Sequence, residues 1–321
     1  MDQQVSRTSV SGSKLVEGLI APEATVNFSP AVRWVVLLAG IMVGLLIAVF
    51  WLPAIADDAI GMNVANTILG TKATSVTLTS VWFSFAFAIA VGLANTFTAC
   101  NCVVFSCIAP LAGQKGQAKR GVWSLLMWMA IGVIVTTAIY GIAGAILDRQ
   151  LPSLSKAVLP IGSHFPVRLL QSTIVFVLLG IVLFYWGLVA LQLVKNPLKR
   201  LAETRPWTVP LFLGIITGCF SIGRPYPLFH TLFQYAAGSG NVALSATLMV
   251  IQGLCNIIVM ALLFVLLLSG TGGRVERWIQ VNPFRARAFI AFSVIGGGMF
   301  LIAYWGIRLP ALFGIGWFPH L

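Results

Sequence analysis

Acidic side chains are nearly missing from this chain. Eight occur in 321 residues, at Asp2, Glu17, Glu23, Asp57, Asp58, Asp148, Glu203 and Glu276, and none falls within a long apolar run. Carboxylate proton relays and pumps for hard cations keep acidic groups at membrane depth, so this distribution argues against both. No Walker loop, dinucleotide fingerprint, haem-attachment C-x-x-C-H or zinc-protease helix is present, and nothing calls for a bound cofactor. The first thirty residues are polar and lack a short apolar segment followed by a cleavage site, so a cleaved signal peptide is not expected. The stretches between the apolar runs are too short to fold a soluble catalytic domain.

What is abundant is apolar surface. Apolar residues make up 59% of the chain and charged residues 9%. Several runs exceed the roughly 20 residues needed to cross a bilayer. The expectation is an all-α integral membrane protein with about seven transmembrane helices, near 32–53, 80–112, 122–147, 169–193, 208–237, 242–269 and 288–307. A polar segment, 1–31, precedes the first span, which reads as a signal anchor. Its Gly40-Ile41-Met42-Val43-Gly44 has the small-residue spacing of a close helix-packing face. The second and fifth runs are too long for one straight helix and are expected to break or tilt. Trp82, Trp123, Trp186, Trp207, Trp278, Trp305 and Trp317 stand near span ends, as interfacial anchors do.

The net charge of +12 is distributed by side rather than by patch. With the N-terminus cytoplasmic, the inner segments collect Arg7, Lys14, Arg33, Lys115, Lys119, Arg120, Lys195, Lys199, Arg200, Arg205, Arg274, Arg277, Arg285 and Arg287. The outer segments hold only Lys72, Arg149, Lys156, Arg168 and Arg308. Fourteen against five is a positive-inside bias, with the C-terminal tail 308–321 outside. The expected partner of this charge is the lipid bilayer of a cell membrane, not nucleic acid.

Short motifs recur at nearly one offset. Tyr185-Trp186-Gly187 returns as Tyr304-Trp305-Gly306, 119 residues later, and Pro110 and Pro227 lie 117 apart. Residues 80–193 and 208–307 therefore read as two three-helix repeats. The charge count gives them opposite orientation, the inverted arrangement that places sites at the repeat interface. Each repeat opens on its irregular helix. Asn95, Thr96, Thr98, Asn101 and Ser106 are polar at membrane depth, while Pro110, Pro225 and Pro227 remove backbone donors. Such backbone is tolerated only when buried in protein or lining a wet cavity, so the two broken helices are expected to meet centrally.

Four of the five cysteines, Cys100, Cys102, Cys107 and Cys219, lie in these irregular helices. Cys255, alone in an apolar run, reads as a small core filler. A cysteine shortly before a proline (Cys107-Ile108-Ala109-Pro110) in the first helix of an inverted repeat resembles the cytochrome c biogenesis transmembrane family, the CcdA proteins and the DsbD membrane domain. The resemblance covers residues 80–307. It implies transfer of reducing equivalents across the membrane by thiol–disulfide exchange, between a cytoplasmic thioredoxin-like and an extracytoplasmic thioredoxin-like protein. Here Arg224-Pro225-Tyr226-Pro227 takes the place of the second motif, with Arg224 where the family has its second cysteine. Either Cys219 substitutes, pairing with Cys100 or Cys102, or the redox function is lost and the scaffold serves another role.

Arg224 is costly in a span, by about 2.5–3.5 kcal/mol. It is expected to stabilise a thiolate, to bind an anionic substrate, or to cap carbonyls freed at Pro225. No metal site is expected from the spacing; the alternative that would create one is Cys100 and Cys102 with His230, suited to copper(I), zinc or mercury. Two other functions stay open beside the relay. One is a transporter for a soft metal or small anion. The other is a non-catalytic subunit of a larger membrane complex with other subunits.

Overall fold

The structure is a computed structural model, and it describes residues 28–51, 61–70, 73–78, 80–96, 120–155, 157–197, 204–205, 207–223, 225–270 and 281–318. Among the described residues ten α-helices are formed: α1 Pro30–Phe50, α2 Asn63–Leu69, α3 Val81–Asn95, α4 Arg120–Leu147, α5 Val167–Ala190, α6 Thr208–Gly223, α7 Pro227–Gly238, α8 Val242–Gly270, α9 Pro283–Ala303 and α10 Leu309–Leu312. A π-helical turn, Tyr304–Arg308, joins the last two. A two-residue antiparallel hairpin pairs β1, Val158–Leu159, with β2, Phe165–Pro166.

Polarity is distributed as lipid requires. The outer surface of the long helices is apolar: Trp34, Leu38, Met42 and Leu46 form one exposed stripe on α1, and Leu170, Ile174 and Leu178 another on α5. Ser84, Asn95, Thr96, Thr137, Ser172, Thr217, Ser221, Ser245, Gln252 and Asn256 are buried instead. Without water at that depth, polar groups find partners only inside the protein. Five helices among the described residues are long and apolar enough to cross a membrane, and the bent pair α6–α7 adds a sixth crossing if counted as one. The chain is an all-α, multi-pass membrane protein.

The expected second span, 80–112, is described only through α3, a 15-residue helix, and Thr96. The expected fifth span is broken: α7 leaves α6 at 93°. Pro225 and Pro227 flank the bend, and Pro227 takes the first turn of α7, where its missing N–H costs nothing. The first span runs Pro30–Phe50 rather than 32–53, and the last begins at Pro283 and runs on through the π turn to Leu312. The helix α2 and the hairpin lie between spans where the sequence signalled no element.

Close approaches through glycine fix the helix directions. Gly40 meets Ile295, and a Cβ on Gly44 would stand 2.5 Å from the Gly296 carbonyl, so α1 runs parallel to α9. The small-residue face expected on α1 is thus its packing face. Arg33 donates to the carbonyls of Phe28 and Gln192 and to Gln192 Oε1 at one end of α1. Arg308 donates to the carbonyls of Ala48 and Trp51 at the other, at 2.6 and 2.7 Å. Gly180 packs on Gly298, and Phe176 stacks on Trp305 at 4.4 Å, so α5 and α9 are antiparallel. Gly253 meets Thr137 while Ser245 donates to the Gly141 carbonyl, so α4 and α8 are antiparallel too. The remaining principal contacts are parallel, α6 on α4 and α3 on α8.

Candidate functional site

The site builds outward from α8. Gln252 and Asn256 stand four residues apart, on one helix face, and both are buried. They lie near the middle of a 29-residue helix, about 15–21 Å from its start. Both α6 and α3 arrive at this face. At the end of α6, Ser221 Oγ donates to Gln252 Oε1 (3.1 Å) and accepts from Gln252 Nε2 (2.9 Å). At the end of α3, Thr96 Oγ1 donates to the Asn256 carbonyl at 3.1 Å. The two arrivals are one turn apart on α8, about 6 Å along its axis.

Two glycines allow this convergence. A Cβ on Gly92 of α3 would stand 2.5 Å from the Gln252 carbonyl, and one on Gly214 of α6 would collide with the Met129 carbonyl of α4. The two glycines lie 122 residues apart, close to the 117–119 of the recurring landmarks. Each lets its helix lie against the second helix of the other half. The α8 face is polar at this level, whereas α4 presents Met129 and Val133, both buried, and Thr137 bonded back to its own helix.

Of the residues singled out in the sequence, Cys219 lies on α6, two positions before Ser221, half-buried against apolar side chains. Its thiol is free, as is that of Cys255. Cys255 packs against Gly92, a Cβ there being 2.6 Å from its own. It is therefore a filler at the α3–α8 contact, flanked on its helix by the two carboxamides. Cys100, Cys102, Cys107, Pro110 and Arg224 lie outside the described residues. Pro225 and Pro227 are exposed at the break, with Tyr226 buried between them.

His230 sits on the outward face of α7, where the Gln234 amide nitrogen lies 2.9 Å from Nε2. A side-chain amide nitrogen only donates, so the ring proton belongs on Nδ1. Among the described residues no three of His, Cys, Asp and Glu gather as a metal site would need. The opposite face of α7, with Leu228, Phe229, Leu232 and Phe233, is buried, and Tyr140 of α4 stacks on Phe233 at 4.6 Å.

Gln252 and Asn256 were not anticipated. The signal was present: two carboxamides at i and i+4 in an otherwise apolar run share a face that lipid would reject. Family models, curated proteins and solved structures offer no match to this chain.

Proposed function

We propose that this chain carries reducing equivalents across a cell membrane by thiol–disulfide exchange, on a scaffold of two inverted three-helix repeats preceded by α1. The N-terminus is cytoplasmic in this reading. The scaffold has support in reciprocity. Exchanging α3 with α6–α7, α4 with α8 and α5 with α9 turns the α5–α9 and α4–α8 contacts into themselves and the α4–α6 contact into the α3–α8 contact, while the α1–α9 contact stands outside the exchange. Gly92 and Gly214 play the same part in it, each bringing its helix against the second helix of the other half.

The relay rests on the convergence of α3 and α6 at one face of α8. Cys219 is two residues from Ser221, and Cys100 follows Thr96 by four, an extended reach of up to about 14 Å. A disulfide requires a Cα separation of about 4.4–6.8 Å, so the relay reading calls for Cys100 or Cys102 to be drawn toward α6 and for Cys219, which lies off the Ser221 face, to turn toward it. In the cycle, a cytoplasmic dithiol attacks the disulfide joining Cys219 to Cys100 or Cys102. A mixed disulfide forms and resolves, leaving two thiols here and a disulfide on the donor. The two thiols then pass the same two electrons and two protons to an extracytoplasmic disulfide. Cys107 is the further candidate for the first-repeat thiol.

Thiol trapping with intact-mass readout tests this on the purified full chain. Oxidation should remove two reactive thiols, reduced thioredoxin should restore them, and Cys219→Ser should abolish the change. Unchanged turnover in Cys219→Ser removes that residue from the mechanism. Cysteines that stay reduced under every condition favour a non-catalytic subunit instead. One observation favours a second reading, a transporter: the polar groups gathered at mid-helix around the α6–α7 break, where inverted-repeat transporters hold substrate. Metal-dependent protection of the thiols would speak for a soft-metal cargo.

A further inference from the structure

The ten residues from Leu309 to Phe318 should be a water-exposed tail by their position after the last span. Their sequence, LPALFGIGWF, contains no charged side chain, and the Trp317 indole N–H is its one side-chain hydrogen-bonding group. Counting from Ala288, just past Arg285 and Arg287, the roughly 20 residues that cross a hydrocarbon core end at Ile307. Arg308 follows with its guanidinium on the last carbonyls of α1, where a basic group at the membrane boundary belongs. The segment after it therefore lies at headgroup level.

It does not lie there alone. The Ser163 N–H donates to the Phe313 carbonyl at 2.7 Å, and the rings of Phe165 and Phe313 meet edge to face at 5.0 Å. Gly162, at φ +61°, is in the left-handed region, and a Cβ there would run into the Phe313 carbonyl. The hairpin between α4 and α5 is thus bound to the tail. Together they expose Val158 (48%), Ile161 (51%), Leu312 (55%) and Trp317 (81%). β2 leads directly into α5, whose stripe of Leu170, Ile174 and Leu178 faces lipid, with the exposed Arg168 at the junction where a basic group at the membrane boundary belongs.

We propose that the hairpin and tail form one interfacial clamp seated in the headgroup–acyl boundary of the bilayer that the protein spans. Its occupant is lipid. Tryptophan is the side chain best suited to that layer, with an apolar body and a single donor. A clamp held in lipid is unavailable to a soluble thioredoxin-like protein.

The full chain reconstituted in phosphatidylcholine vesicles tests the proposal through Trp317. The fluorescence difference between the parent and Trp317→Phe, a change of small volume at an exposed site, isolates one indole among ten. That component should be quenched several-fold more by lipid brominated near the headgroup end of the chain than by lipid brominated near the chain terminus. Aqueous acrylamide should quench it weakly. Strong quenching by acrylamide with none by brominated lipid would overturn the clamp and return the segment to water. Quenching by neither would overturn it in favour of a protein surface covering Trp317.

Discussion

Gln252 concentrates the chemistry of this fold in one side chain. It is fully buried, and Ser221 is its one side-chain partner among the described residues. Interhelical polar pairs in membrane proteins contribute about 0.6 kcal/mol on average and up to about 1.7. Gln252→Leu should lower the unfolding free energy in detergent by an amount within that range. Ser221→Ala added to it should cost little more, because the hydroxyl has already lost its partner. Additive losses would mean that the two side chains act separately. At this scale the sequence was half legible. Asn95 and Thr96 stood out beside cysteines and prolines. Gln252 and Asn256 were hidden by the mean apolarity of their run, although their spacing alone marks a shared interior face. Cys219 was visible as a thiol, but the burial of its neighbour Ser221 against α8 depends on tertiary packing that no local pattern encodes.

Among elements, α1 makes the clearest case for reading small residues as contact. Its glycines were legible at i and i+4, and both lie on α9. A leucine at position 44 would drive into the Gly296 carbonyl and Met299. Overpacking of that kind costs about 1–3 kcal/mol. Gly44→Leu should therefore unfold at a distinctly lower temperature than the parent, whereas Gly238→Ala, where nothing stands within 4 Å, should be nearly neutral. Equal melting of the two variants would show that α1 is not held through this face. The bend between α6 and α7 was also legible, because prolines at 225 and 227 forbid a continuous ladder. Its angle was not, since that depends on the Phe229 and Phe233 contacts with Tyr140. The hairpin escaped altogether. A two-residue pairing leaves no periodicity to read, and it is held by a carbonyl of a segment about 150 residues away in sequence.

For the whole molecule, charge and direction are separate sources of information. Antiparallel contact of α4 with α8 and of α5 with α9 comes from packing. The count of basic residues assigns sides without reference to packing, and it requires the same alternation. Cysteine introduced at Gln150 should react with a membrane-impermeant maleimide from outside intact cells, and cysteine at Lys195 only after permeabilisation. Both positions are exposed. Labelling of both from one side would break the alternation, and the inverted-repeat scaffold with it. The proposed duplication rests in the sequence on tyrosine–tryptophan–glycine and proline landmarks at nearly one spacing. The asymmetry between the α8 and α4 faces was not, because matching landmarks reveals what the halves share and passes over where they have diverged.

The three consecutive glycines of α9 have a mechanical consequence. Gly296 faces α1 and Gly298 faces α5, so one stretch of backbone is gripped from two sides. Arginines fasten both ends of α1, one to the segment after α5 and one to the turn after α9. Three helices so interlocked move as a single stator. If the proposed relay holds, its stroke falls to α3 and the α6–α7 elbow, which meet α8 through hydroxyl and carboxamide hydrogen bonds that can exchange partners.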